Sequence, residues 1–106
     1  MDHKTLKDLK SKEPIPGFHG KFIHSENMTF AYWDIHAGSS LPEHQHEHEQ
    51  VANILEGEFE FTVNGEVKLC KAGDVVVLPS NTPHSGKALT YCRILDVFNP
   101  RREDYE

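Results

Sequence analysis

Glu58-Phe59-Glu60-Phe61-Thr62-Val63-Asn64-Gly65-Glu66-Val67-Lys68-Leu69-Cys70 is the stretch that decides the fold. Its first six residues alternate polar with apolar at a period of two, the pattern of a strand with one buried face. Asn64-Gly65 supplies both positive-φ positions of a type I′ hairpin turn, and Glu66 to Cys70 is the return strand. Outward from this hairpin the β signal continues. Lys71-Ala72-Gly73-Asp74 is a turn, and Val75 to Leu78 is a fully apolar strand stopped by Pro79, Asn81 and Pro83. Thr90 to Phe98 closes the series, and upstream the aromatic-rich run Thr29 to His36 reads as another strand. Many short strands between Gly, Pro and Asn turns, with almost no helix, predict a small all-β barrel or sandwich. The clearest helical candidate is Lys4 to Lys12, with Leu6 and Leu9 three apart, but it is short and charged. Helices of this length are marginal alone, so residues 1–20 are expected to form a frayed or docked N-terminal arm. Pro14, Pro16, Gly17 and Gly20 break any regular element before Lys21, which leaves residues 21–106 for the barrel.

Composition narrows the class of function. The chain has 106 residues, the size of one domain, and 11 Lys+Arg against 17 Asp+Glu give a net charge of −6. An acidic chain without a Lys/Arg stripe argues against nucleic acid or an anionic membrane surface as a partner, since both need a basic face. The longest apolar run, Val75 to Leu78, is far short of the roughly 18 residues that span a bilayer. Met1 to Glu13 lacks the apolar stretch and small-residue cleavage site of a secretory signal, so a cytoplasmic location is expected. Cys70 and Cys92 form no Cys-x-x-Cys and sit in apolar, strand-like runs, where free cysteine behaves as a small buried hydrophobe.

Eight histidines are present, and His44, His46 and His48 form an alternating trio. Glu43, Glu47 and Glu49 interleave with them, so one reading is a solvated, acid-and-histidine-rich loop. On an extended segment, however, His44, His46, His48 and Gln50 share one face while Glu47 and Glu49 take the other. Two imidazoles separated by one residue can close on a single metal ion at about 2.0–2.1 Å, and the Gln50 amide oxygen adds a third ligand. A further ligand must come from elsewhere in the fold. His84, held after the rigid turn Pro79-Ser80-Asn81-Thr82-Pro83, is the obvious donor.

With these residues the sequence resembles the cupins, whose double-stranded β-helix, or jelly-roll, barrel is then the expected fold. The first cupin motif is Gly, five residues, His-x-His, three or four residues, usually Glu, six residues, Gly. It is met by Gly38, His44, His46, Gln50 and Gly57, with Gln50 in place of the usual Glu. The second motif is Gly, five residues, Pro-x-Gly, two residues, His, three residues, Asn. It is met by Gly73, Pro79 and His84, with Asn81 at the second Gly, where Asn tolerates a left-handed backbone, and Ala88 at the final Asn. The run Asp96-Val97-Phe98-Asn99-Pro100-Arg101-Arg102-Glu103-Asp104-Tyr105, taken with Gln50 and with Pro79 to His84, is similar to the pectin degradation protein KdgF group of small cupins. That resemblance runs from about Gly38 to Tyr105 and implies an enzyme that linearises 4,5-unsaturated monouronates from pectin or alginate breakdown into open-chain keto acids. It also implies metal ligands at His44, His46, Gln50 and His84, pocket groups at Asp96 and Arg102, and the aromatic Phe98 beside them.

The residue chemistry is compatible with that assignment. A neutral amide in place of a carboxylate ligand leaves a bound divalent ion a stronger Lewis acid and a better host for a small anionic substrate. Nickel, zinc, manganese and iron all remain open as the divalent transition metal. Asp96 shares strand parity with Cys92, Ile94 and Phe98, so burial beside a metal makes it an acid/base candidate, with a strand-end hydrogen bond as the bland alternative. Arg102 offers a planar fork suited to the substrate carboxylate beside Phe98, or is an ordinary solvated tail charge. His48 has the parity to reach the pocket as a second base, but reads better as a spacer near the barrel mouth. Val51, Asn53 and Leu55 lie opposite the Gln50 face, and Val75 and Val77 oppose Val76 and Leu78, which predicts a self-association surface and a twofold homodimer. Two other classes stay open: an oxygenase or lyase for another small carboxylate, and a non-catalytic cupin that binds a ligand or regulates a partner.

Overall fold

A computed structural model describes residues 1–106. Ten strands carry the chain: β1 Lys12–Ile15, β2 Phe18–His24, β3 Thr29–Ile35, β4 Ser40–His44, β5 Glu49–Glu56, β6 Glu58–Val63, β7 Glu66–Lys71, β8 Val75–Leu78, β9 His84–Ala88 and β10 Cys92–Asn99. They form two antiparallel sheets, one of six strands in the order β1-β2-β3-β10-β5-β8 and one of four in the order β4-β9-β6-β7. Strands distant in sequence thus lie side by side, with β10 between β3 and β5. This is the jelly-roll barrel that the motifs imply.

Period-two alternation puts the core between the sheets. Along β10, Cys92, Ile94, Asp96 and Phe98 are buried while Arg93, Leu95, Val97 and Asn99 point outward. Their apolar members pack with Phe18, Trp33, Ile35, Ile54, Phe59, Phe61 and Leu78 into one cluster. The hairpin from β6 to β7 has the expected turn, with Asn64 at φ 50° and Gly65 at φ 80°. Asn81 also takes the left-handed conformation, at φ 58°, as its position in the second motif requires. Gly57, with φ 89°, cannot be replaced without strain, because a Cβ there would lie 2.1 Å from the Tyr91 carbonyl oxygen. Cys70 and Cys92 are buried free thiols, as read from the sequence.

The N-terminal segment departs from the expectation. No helix spans Lys4 to Lys12; a single 3-10 turn, Leu6–Asp8, is docked by a hydrogen bond from Lys21 Nζ to the Leu6 carbonyl at 2.9 Å. The sheet begins at Lys12, before the 21 expected. The supposed breakers are parts of that sheet. Pro14 sits in β1, an edge strand that leaves one side unpaired. Pro16-Gly17 turn the chain between β1 and β2, with Gly17 at φ 84° and its N–H bonded to Glu13 Oε2. Gly20 lies under Trp33, whose Cζ3 would be 2.7 Å from a Cβ. β10 runs from Cys92 to Asn99, slightly shifted from the expected Thr90 to Phe98. No helix is long and apolar enough to cross a membrane.

Candidate metal centre and carboxylate pocket

Strand register brings the histidines together. His44 ends β4 and His84 begins β9, and the two are direct partners across the ladder, with ring centroids 4.3 Å apart. His46 lies just past β4, and its ring is 5.2 Å from that of His84. The extended His44-to-Gln50 segment expected from the sequence is broken, because residues 45–48 bend between β4 and β5. Convergence survives because the second-motif turn holds that bend: Asn81 N–H donates to the His46 carbonyl at 2.7 Å, and the Ser80 hydroxyl donates to the Glu47 carbonyl. His48 is left beside the His46 ring at 5.5 Å and Phe98 at 6.5 Å, with its buried Nδ1 unpartnered.

Each of the three converging rings uses Nδ1 in the same way. His44 donates to the Pro42 carbonyl at 2.9 Å, His46 to that of His48 at 2.9 Å, and His84 to that of Thr82 at 2.8 Å. A carbonyl can only accept, so Nδ1 carries a proton and, in the neutral ring, Nε2 keeps its lone pair. His84 Nε2 is buried without a hydrogen-bond partner, and His46 Nε2 faces Gln50 Oε1 at 3.2 Å, lone pair to lone pair. A cation removes that conflict. One ligand atom from each of His44, His46 and His84 lies within 4.8 Å of the others, a grouping that could hold one metal ion. Burial, with the positive Arg102 nearby, drives the His46 pKa down to about 4, and burial lowers that of His84 too. These two rings are therefore neutral and ready to ligate at neutral pH. The residues fit a divalent transition metal.

A cavity of about 380 Å³ opens from this cluster, with apolar walls from Phe18, Trp33, Ile35, Phe59, Phe61 and Ile94 and with His44, Gln50, His84, Asp96 and Arg102 at its polar end. Asp96 is 8% exposed and Oδ2 accepts the Trp33 indole N–H at 3.0 Å, while Oδ1 has no well-aligned partner. Burial pushes its pKa up to about 6, against the opposing pull of the Gln50 side chain, the Trp33 N–H and the Arg102 charge. The Arg102 guanidinium lies 4.8 Å from the Phe98 ring centroid and 4.2 Å from that of Tyr105. Its Nε and Nη2 donate to Asp104 Oδ1 and Oδ2 at 3.1 and 2.6 Å. A solvated tail arginine this is not, since its side chain is only 10% exposed.

The strap that carries Arg102 is anchored by a chain of hydrogen bonds. Arg102 N–H donates to Thr29 Oγ1 at 2.9 Å, Thr29 meets His24 Nδ1 at 2.8 Å, and His24 Nε2 meets the Tyr105 carbonyl at 3.3 Å. One tautomer satisfies all of them: Thr29 O–H donates to Nδ1, and Nε2–H donates to the carbonyl. Tyr105 closes the arrangement by stacking on Phe22 at 4.6 Å. Trp33, Asp104 and Tyr105 were not singled out from the sequence. Asp104 and Tyr105 stand in the C-terminal run already quoted, two and three residues after Arg102, whereas Trp33 read as one more aromatic of a strand.

Comparison with known proteins agrees with this geometry. A family model described as "Cupin domain" matches residues 31–98. The pectin degradation protein KdgF of Dickeya dadantii (strain 3937) is 34% identical over 64 residues, covering 58% of each chain. An acireductone dioxygenase of Alcanivorax borkumensis is 44% identical over 48 residues, 42% of this chain and 26% of that one. The chain thus matches well under two thirds of the length of either curated relative. Among solved structures, KdgF from Halomonas sp. superposes with a TM-score of 0.93 at 28% identity, covering 100% of this chain and 99% of that one. An RmlC-like cupin from Shewanella frigidimarina superposes equally well, with a TM-score of 0.93 at 25% identity and coverage of 100% and 97%. The paired histidine motifs, the jelly-roll sheets around them and a family match over most of the barrel place this chain in the cupin-domain family, as a small cupin resembling KdgF.

Proposed function

We propose that this chain is a metal-dependent enzyme that converts 4,5-unsaturated monouronates to linear keto acids by ring opening and tautomerisation. One observation carries the reading: a buried carboxyl poised near neutral pH, Asp96, and a buried guanidinium, Arg102, share one small cavity with His44 and His84 of a three-histidine cluster. The likeness to a protein named for pectin degradation, and to a solved structure of a KdgF, supports it. His44, His46, Gln50 and His84 would hold the metal, which when bound supplies Lewis-acid stabilisation of an anionic oxygen ligand. Arg102 binds the uronate carboxylate, and Phe98 and the apolar wall contact the sugar ring. Asp96 takes the proton of the anomeric hydroxyl as the bond from ring oxygen to anomeric carbon breaks, leaving an aldehyde and an enolate. It then returns that proton to the former alkene carbon, and the enolate becomes a ketone. The change is an isomerisation, so no oxidant or water is consumed.

A second reading is a metal-dependent dioxygenase for another small carboxylate, favoured by the short match to acireductone dioxygenase. One assay separates the two. Metal-loaded protein should accelerate the loss of ultraviolet absorbance of an unsaturated monouronate over a protein-free control, with no uptake of oxygen. A rate equal to the control on both pectin- and alginate-derived uronates would overturn the proposal.

We further propose that the chain is a homodimer through the outer face of its larger sheet. A row of apolar side chains crosses five adjacent strands there: Ile23, Phe30, Val97, Val51 and Val77 are neighbours in register. Val75 and Val77 are each 58% exposed and Leu55 is 47% exposed. Five strands about 4.8 Å apart and some 25 Å long give roughly 500 Å² of projected area, which with side-chain relief approaches the ~800 Å² per partner of a stable interface. Light scattering at micromolar concentration should give twice the chain mass, and a monomer would remove the proposal.

A further inference from the structure

The guanidinium of Arg102 presents two edges on which a carboxylate can sit in two-point fashion, one formed by Nε and one Nη, the other by the two Nη atoms. Asp104 occupies the first, through Nε at 3.1 Å and Nη2 at 2.6 Å. Two adjacent aromatic rings hold the group in place, with the Phe98 and Tyr105 ring centroids 4.8 and 4.2 Å from its central carbon and 6.0 Å from each other, so they fix its position while the Asp104 pairing sets which edge it offers. Asp104 lines the same cavity as the metal-centre histidines, yet its own side chain is 56% exposed at the mouth. We propose that Asp104 is a positioning residue that fixes Arg102 so that a ligand carboxylate meets the Nη1/Nη2 edge, and that this pairing sets the depth at which a small carboxylate ligand sits. The inference rests on the reading that Arg102 receives the uronate carboxylate. Without Asp104 the guanidinium keeps its charge and its stacking but loses its in-plane orientation, and the cost falls on binding.

The opposite role is also chemically sensible, and the sign of the effect separates the two. If Asp104 were a stand-in that the ligand must displace, its removal would tighten binding. The probe is D-galacturonate, a saturated uronate that lacks the alkene needed for turnover, titrated into metal-loaded protein with calorimetry, beside steady-state kinetics on the unsaturated monouronate. Asp104→Ala should raise the galacturonate Kd and the KM together, by about 5- to 10-fold, with kcat within about twofold of wild type and metal content and melting temperature unchanged. Asp104→Asn keeps an acceptor for one of the two bonds and should fall between. In nitrogen-15 spectra the Arg102 Nε–H should exchange slowly in wild type and rapidly in Asp104→Ala. A Kd that is unchanged or lower in Asp104→Ala, a fall in kcat at constant KM, or an Nε–H equally exposed in both proteins overturns the inference. Wild type that binds galacturonate without turning over the unsaturated sugar sinks the ring-opening reading and leaves this one standing; wild type that does not bind galacturonate sinks the inference.

Discussion

The histidine cluster and the C-terminal strap face each other across one cavity, but the backbone holds them differently. Each ring of the cluster is fixed by its own main-chain carbonyl, from Pro42, His48 or Thr82, and two of the rings belong to ladder partners on β4 and β9. The strap has no strand of its own. Arg102 is placed by two aromatic rings, one carboxylate and backbone bonds to Thr29 and Tyr105. The contrast teaches that one side chain removed from the cluster leaves the others in place and empties a ligand position, whereas one removed from the strap loosens its neighbours. Effects on the first side should therefore be all-or-none for the metal, and on the second graded for the ligand.

The largest effect is expected at His84. His84→Ala removes the buried Nε2, which has no partner within the protein, and one Nδ1 bond to the Thr82 carbonyl, so the barrel should still fold while metal content by elemental analysis falls from near one per chain to less than about a tenth, and activity with it. Full occupancy in that variant would remove His84 from the ligand set. Next comes Asp96→Asn, which should keep metal and fold but lose about 10²- to 10⁴-fold in kcat, the range for a positioned acid/base. The same substitution has a signature in the metal-free protein. The Asp96 pKa is raised from 3.8 to about 6 in the fold, so its contribution to stability is fully present below pH 4 and is lost as the pH rises toward 6. Metal-free Asp96→Asn should thus match wild type in stability at pH 4 and exceed it at pH 8, by on the order of 2–3 kcal/mol, as measured by denaturant unfolding. Equal stability at both pH values would mean that the carboxyl is not held in a costly buried state.

What could be read in advance follows the range of the interactions. The hairpin at Asn64-Gly65, the glycine and asparagine turns and the spacing of His44, His46 and Gln50 are short-range features, and each is visible within a window of a few residues. Parity along β10 was enough to put Asp96 on the inner face. The edge strand β1 was missed because Pro14, Pro16, Gly17 and Gly20 read as breakers, and only the pairing of β2 with β3 shows that Gly20 is the floor for Trp33. The role of Trp33 was equally hidden. Trp33 pairs with Ile94, and its indole reaches Asp96 two residues further along β10, a neighbour 63 positions away in sequence. Nothing local announces such a contact.

The smallest effect tests that hidden contact. Trp33→Phe keeps an aromatic ring above Gly20 and against Phe18 and Phe22 but removes the N–H that holds Asp96 Oδ2. The carboxyl then loses one of its three stabilising influences and some of its orientation, while the Gln50 side chain and the Arg102 charge remain. Turnover should fall by about 3- to 10-fold, with metal content and KM unchanged, and the acidic limb of the pH profile for kcat should move to higher pH. Because the indole is argued to act through Asp96, the two substitutions cannot be additive. In an Asp96→Asn background, Trp33→Phe should produce no further loss of kcat, giving a coupling that cancels the single-variant effect. A loss of the same size in both backgrounds would show that the tryptophan shapes the cavity wall alone, and the proton-transferring geometry would then rest on Gln50 and Arg102.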